Sequence, residues 1–128
     1  MLQYGRPVLA AAVLYLAGCS LNPPHDDMPA SLRAGDARPD IVMTSKKKVG
    51  VSAMFRRVIP KDSRWSYVGS IAAGDVYQGV NTVFTVEGVD IHEAYLVISG
   101  RDLVGYYLPF EKTFEELGSP EPLAFVPK

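Results

Sequence analysis

Ile91-His92-Glu93-Ala94-Tyr95-Leu96-Val97-Ile98 runs through Ser99-Gly100-Arg101-Asp102 into Leu103-Val104-Gly105-Tyr106-Tyr107-Leu108. Two stretches rich in β-branched and aromatic residues flank a short link containing glycine, the pattern of a β-hairpin. Both stretches are apolar at successive as well as alternate positions. Such a pair has no wet face and belongs in the middle of a sheet, covered on each side. A chain built around it is mainly β.

The neighbouring segments extend this reading in the N-terminal direction. Val76, Val80, Phe84 and Val86 alternate with Tyr77, Asn81, Thr85 and Glu87, which predicts one strand with a bend at Gly79. Trp65 to Ile71 predicts another, with Trp65, Tyr67 and Ile71 on one face, after a turn at Lys61-Asp62-Ser63. Val49, Val51, Ala53 and Phe55 recur at period two, predicting a single strand that ends near Ile59-Pro60. The links are too short for parallel crossovers, so the sheet is antiparallel.

Beyond the hairpin, Pro109 stops the strand. Phe110, Phe114 and Leu117 then recur at i, i+4 and i+7 with Gly118 behind them, which predicts a short glycine-capped amphipathic helix. Its outer face would carry Glu111, Lys112, Glu115 and Glu116. Leu123-Ala124-Phe125-Val126 reads as a docked edge segment. The expected domain, residues 49–128, is a small antiparallel sheet or partial barrel with one short C-terminal helix.

The N-terminus is of a different kind. Residues 1–18 show the three parts of an export signal: a positive start with Arg6, an uncharged apolar run from Pro7 to Leu16, and small residues Ala17 and Gly18. The run is shorter than the roughly 20 apolar residues needed to cross a bilayer as a helix, and Asn22, Pro23 and Pro24 end it. Leu16-Ala17-Gly18-Cys19 resembles the lipobox of bacterial lipoproteins. The resemblance covers about the first twenty residues and no part of the folded domain. It implies a diacylglycerol thioether on Cys19, cleavage before it, and N-acylation of the new terminus. Ser20, where inner-membrane lipoproteins carry Asp, implies the periplasmic face of the outer membrane. Two or three acyl chains, each buried CH₂ contributing roughly 0.8 kcal/mol, make such an anchor permanent.

Residues 19–48 hold Pro23, Pro24, Pro29 and Pro39 and lack a sustained apolar period, so they read as a disordered tether. As a flexible chain it would span on the order of 30 Å. His25 with Asp26 and Asp27 reads as a solvated cluster and not a metal site.

Cys19 is the only cysteine, so once it is acylated the domain holds by packing without a disulfide. Charge is uneven: Arg33 to Arg64 carries nine Lys/Arg and three Asp, whereas Trp65 to Lys128 carries three Lys/Arg and nine Asp/Glu. The plain expectation is that the two halves dock on each other or simply present solvated faces; the alternative is a dedicated anionic partner. Lys46, Lys47, Lys48, Arg56 and Arg57 suit lipid headgroups or anionic wall polymers, or else gatekeeping at a strand edge.

Catalytic signatures are scarce. His92 is the only histidine outside the tether, and the His92-Glu93 pair has Leu96 where a zinc protease places its second histidine. The chain contains no nucleophile elbow, Walker loop or dinucleotide fingerprint. Without a basic excess, nucleic acid is not an expected partner. No cofactor is expected beyond the covalent lipid. The sequence therefore predicts a non-enzymatic binding or assembly module accessory to an envelope complex, receiving a partner protein by strand addition at an exposed sheet edge or at the aromatic hairpin around Tyr106 and Tyr107. The alternative is an inhibitor or immunity protein against a cell-wall-degrading enzyme, acting through Glu87, Asp90 and Glu93.

Overall fold

A computed structural model describes residues 27–49, 57–87 and 91–128. Among these the chain is mainly β, in antiparallel sheets, without a helix. With strands counted in chain order, the main sheet runs β1 (Asp27–Pro29), β11 (Thr113–Pro122), β10 (Asp102–Leu108), β9 (Tyr95–Ser99), β6 (Gly74–Gly79), β5 (Arg64–Ile71), β2 (Ile41–Met43) and β12 (Phe125–Pro127). Two small hairpins accompany it, β3 (Lys47–Val49) with β4 (Arg57–Ile59) and β7 (Thr85–Glu87) with β8 (Ile91–Glu93).

The β9–β10 hairpin lies within the sheet, flanked by β6 and β11, as its two-sided apolarity requires. Alternate residues feed two apolar clusters. One gathers Trp65, Tyr77, Leu96, Ile98, Leu103, Tyr106 and Leu108 with Ile41, Met43, Val49, Ile59 and Leu123. The other gathers Ile71, Val76, Val97, Tyr107 and Phe114 on the opposite face. Irregularities between Tyr67 and Gly69, and between Leu103 and Gly105, insert one extra residue into β5 against β6 and into β10 against β9. Against β11 the same stretch of β10 faces a longer excursion of β11, from Glu121 to Glu116. An inserted residue exchanges the faces of everything after it. Trp65 and Ile71, expected on one face, are therefore in different clusters.

Two short connections show how strongly this sheet curls. Ala30 donates its N–H to the Lys112 carbonyl at the start of β11, and Arg33 pairs with Ser70 at the end of β5. Those strands are four places apart, about 19 Å in a flat sheet, yet three residue steps reach at most about 10 Å. On the other face, three steps link Pro122 at the end of β11 to Phe125 at the start of β12, six places away. Opposite corners thus fold together on each face, the shape a right-handed twist accumulates across many strands. The linking segments bring Ala30 to one cluster and Leu123 and Phe125 to the other.

Several expectations are corrected. The C-terminal helix is the strand β11, entered by a tight turn at residues 109–112 in which Lys112 has φ 58°. The single strand from Val49 to Ile59 is a hairpin pairing Val49 with Arg57; residues 50–56 lie outside the described residues. The Val76–Glu87 strand ends at Gly79, and its continuation pairs separately as β7. Residues 27–48, read as the greater part of a tether, supply β1, β2 and most of β3, with Ile41 and Met43 buried in the core. Three-residue strands between prolines are too brief to show a period. The signal peptide and residues 19–26 lie outside the described residues.

The uneven charge is used in part between halves: Arg38 meets Asp75 at 2.6 Å and Lys47 meets Glu121 at 3.1 Å. Exposed pairs of this kind position segments and add little stability.

Candidate binding groove

Where the Ala30–Arg33 segment crosses the sheet, it leaves an open apolar groove of about 730 Å³. Met28, Ala30, Ile71, Ala72, Ala73 and Phe114 supply its apolar wall, and Arg33 and Glu116 are its charged residues. Its volume is that of a small-molecule or extended-peptide site.

Local chemistry sets the walls. Arg33 and Ser70 exchange two backbone hydrogen bonds of 2.8 Å each. This close approach needs Gly69, at φ 146°, because the Arg33 carbonyl stands where a side chain would begin. Ser70 Oγ donates to Asp75 Oδ1 at 3.0 Å and lies 2.9 Å from Tyr67 Oη. Arg38 donates to the other Asp75 oxygen and lies 4.4 Å over the Tyr67 ring, a cation–π contact. The hydrogen bond to Asp75, then its charge, hold the Arg38 guanidinium above its ordinary value. Burial, then the Asp75 charge, push the Tyr77 hydroxyl up. These contacts fasten residues 33–40 along β5, so one wall of the groove is built rather than incidental.

The groove has hydroxyls at Ser31 and Ser70 but neither histidine nor cysteine among its lining residues. Its chemistry is that of an apolar receptacle with one cation and one anion. Among the described residues, no group of three or more His, Cys, Asp or Glu converges as a metal site.

The residues singled out from sequence lie elsewhere. Cys19 and Asp90 are outside the described residues. Tyr106 and Tyr107 are 5 % and 4 % exposed, in opposite clusters, which corrects their reading as a partner surface. Their strand lies between β9 and β11, so it offers no free edge. Tyr106 Oη is buried without a hydrogen-bond partner among the described residues, and burial pushes its hydroxyl strongly up. In the β7–β8 hairpin, register places Glu87 opposite Ile91 and Glu93 opposite Thr85, which brings these two acids to one small element. His92 Nδ1 lies 2.7 Å from Glu111 Oε2. The groove leaves no signal in the sequence because Met28 and Ala30 lie among prolines and the spacing around Phe114 predicts a helix.

No family model, curated protein or solved structure matches the chain.

Proposed function

We propose that the chain is a lipoprotein anchored through Cys19 on the periplasmic face of the outer membrane, where it works as a non-enzymatic binding module for an envelope protein. The groove beside β1 receives an extended apolar segment of that partner. The observation that carries the reading is the position of the groove: it opens against β1, whose first residue is eight positions after Cys19 in Leu16-Ala17-Gly18-Cys19. Arg33 and Glu116 suit the two polar ends of a short bound segment, and Phe114 and Ile71 its apolar middle.

A photo-cross-linking side chain at Ala72, in the full chain in cells, is the test. A control goes at Arg101, exposed in the β9–β10 turn. The expected result is an adduct with one envelope protein from position 72 and none from 101. Equal adducts from both positions, or none from 72, overturn the groove as the binding site. Mass measurement of the N-terminal lipopeptide reports separately on acylation at Cys19.

A further inference from the structure

Large apolar side chains are exposed at one end of the sheet. Phe110, in the β10–β11 turn, is 79 % exposed, and Ile91, opening β8, is 68 % exposed. The His92–Glu111 contact brings these two residues' chain neighbours together, so Phe110 and Ile91 belong to one tip. Val83, also 68 % exposed, precedes Phe84, whose carbonyl accepts the Ala94 N–H at 2.8 Å just beyond β8. At the opposite end of β9 and β10 the turn is Ser99-Gly100-Arg101, exposed and without a large apolar residue. The most exposed large apolar side chains thus gather at one end, beside the exposed Glu111 and Lys112 of the same turn, and the opposite turn has none. Folding gains nothing from leaving a phenylalanine in water, and exposed apolar groups gathered at one place mark a surface that meets something apolar.

The length of chain before the sheet says what that is. Pro29 pairs with Thr113, next to the turn, and Asp27 with Glu115. The chain therefore enters the sheet about 7 Å, two strand residues, from the tip-side end of β11. Between Cys19 and Asp27 lie eight residue steps, with a maximum reach of about 28 Å. A tether ending at Lys48 could extend to about 100 Å; one ending at Asp27 keeps the chain's entry into the sheet within about 28 Å of Cys19.

We infer that the Phe110–Ile91 tip inserts into the interfacial layer of the same bilayer that holds the acylated Cys19, as a second contact that fixes the domain's orientation. Aromatic and aliphatic groups at this depth enter the boundary between headgroups and chains, about 5–10 Å deep, and need no spanning element. Docked in this way, the sheet stands with its polar turn at Arg101 away from the membrane. The inference rests on the anchor reading above.

The test uses Phe110→Trp in the full chain, purified as the acylated protein and placed in phosphatidylethanolamine–phosphatidylglycerol vesicles. Trp65 is 1 % exposed and gives a constant background, measured on the unsubstituted protein. Insertion predicts a blue shift of the added emission, with stronger quenching by lipids brominated high on the acyl chain than by lipids brominated near the terminal methyl. Ile91→Trp gives the same result independently. If Cys19 carries lipid and the protein floats with vesicles, but the introduced indole stays open to aqueous iodide, the tip inference is overturned and the anchor stands. If that indole is shielded only when an envelope protein is added, without quenching by brominated lipid, the inference is likewise overturned in favour of a protein contact. An unmodified Cys19 in the lipopeptide mass removes the anchor and, with it, this inference.

Discussion

Gly105 lies against Phe114. A Cβ on Gly105 would sit 2.5 and 2.9 Å from two carbons of the Phe114 ring and would also meet the Glu115 carbonyl. Gly105 is the residue at which the irregular pairing of β10 resumes its regular register with both neighbours, so the missing side chain and the exchanged faces belong to one local design.

Gly105→Ala must therefore push the ring aside or force β10 and β11 apart. Overpacking of this kind costs about 1–3 kcal/mol, and backbone on one side leaves little room to relax. We expect urea unfolding to place the variant at or above the top of that range. Unchanged stability would mean that β10 and β11 are not in this register.

Tyr106→Phe moves stability the other way. Its hydroxyl is buried with no partner among the described residues, so removing it relieves an uncompensated desolvation. The variant should be as stable as the parent or more stable by about 1 kcal/mol. The pH dependence has a definite sign. Burial raises the folded-state value of Tyr106 above the ordinary tyrosine value of about 10. Below that pH both states hold the proton and the contribution is constant; above it the unfolded chain ionises first and stability falls. Tyr77 and Tyr95, also raised chiefly by burial, act in the same direction. Alkaline unfolding should therefore steepen above about pH 10, and less so in Tyr106→Phe. An equal alkaline loss in parent and variant would show that the hydroxyl is solvated.

Met43→Ala separates a structural segment from a tether. Met43 is fully buried, and its backbone exchanges hydrogen bonds with the turn between β4 and β5, through Ser63 and Asp62. Truncating a buried methionine costs about 2–5 kcal/mol. Thermal or urea unfolding should show that loss. An effect below about 0.5 kcal/mol, the range of an unconstrained surface position, would return residues 41–43 to the tether.

Trp65, the one tryptophan of the chain, packs edge-on against Phe84 with ring centres 5.6 Å apart. Its indole N–H donates to Ser63 Oγ at 2.9 Å. Native fluorescence should be blue-shifted and shielded from iodide, and Trp65→Ala should cost about 3–5 kcal/mol. Ready quenching in the folded state would contradict the packing.

These residues also mark what a single sequence can reveal. The β9–β10 hairpin is legible because continuous apolar runs around a glycine link have few other uses. The edge position of residues 125–127 follows from flanking prolines. Phe114 and Leu117 mislead because their spacing fits a helix face, whereas as strand residues three apart they face opposite sides: Phe114 enters one cluster and Leu117 packs on the other. A sheet with apolar cover on both faces removes the signal that separates the two periodicities. The one-residue insertions in β5 and β10 depend on close backbone approaches at Gly69 and Gly105, and β1 and β2 are too short to show alternation. The groove needs residues 28–33 and 70–73 brought together, a contact between segments about forty positions apart.

The outermost strands of the main sheet, β1 and β12, are three residues long and each ends in proline, Pro29 and Pro127. A proline cannot donate to an incoming strand, and so short an edge gives one little to align with. For a chain that the proposed anchor would crowd into two dimensions, this blunting has a practical result: neighbouring copies can collide side by side without zipping into fibrils.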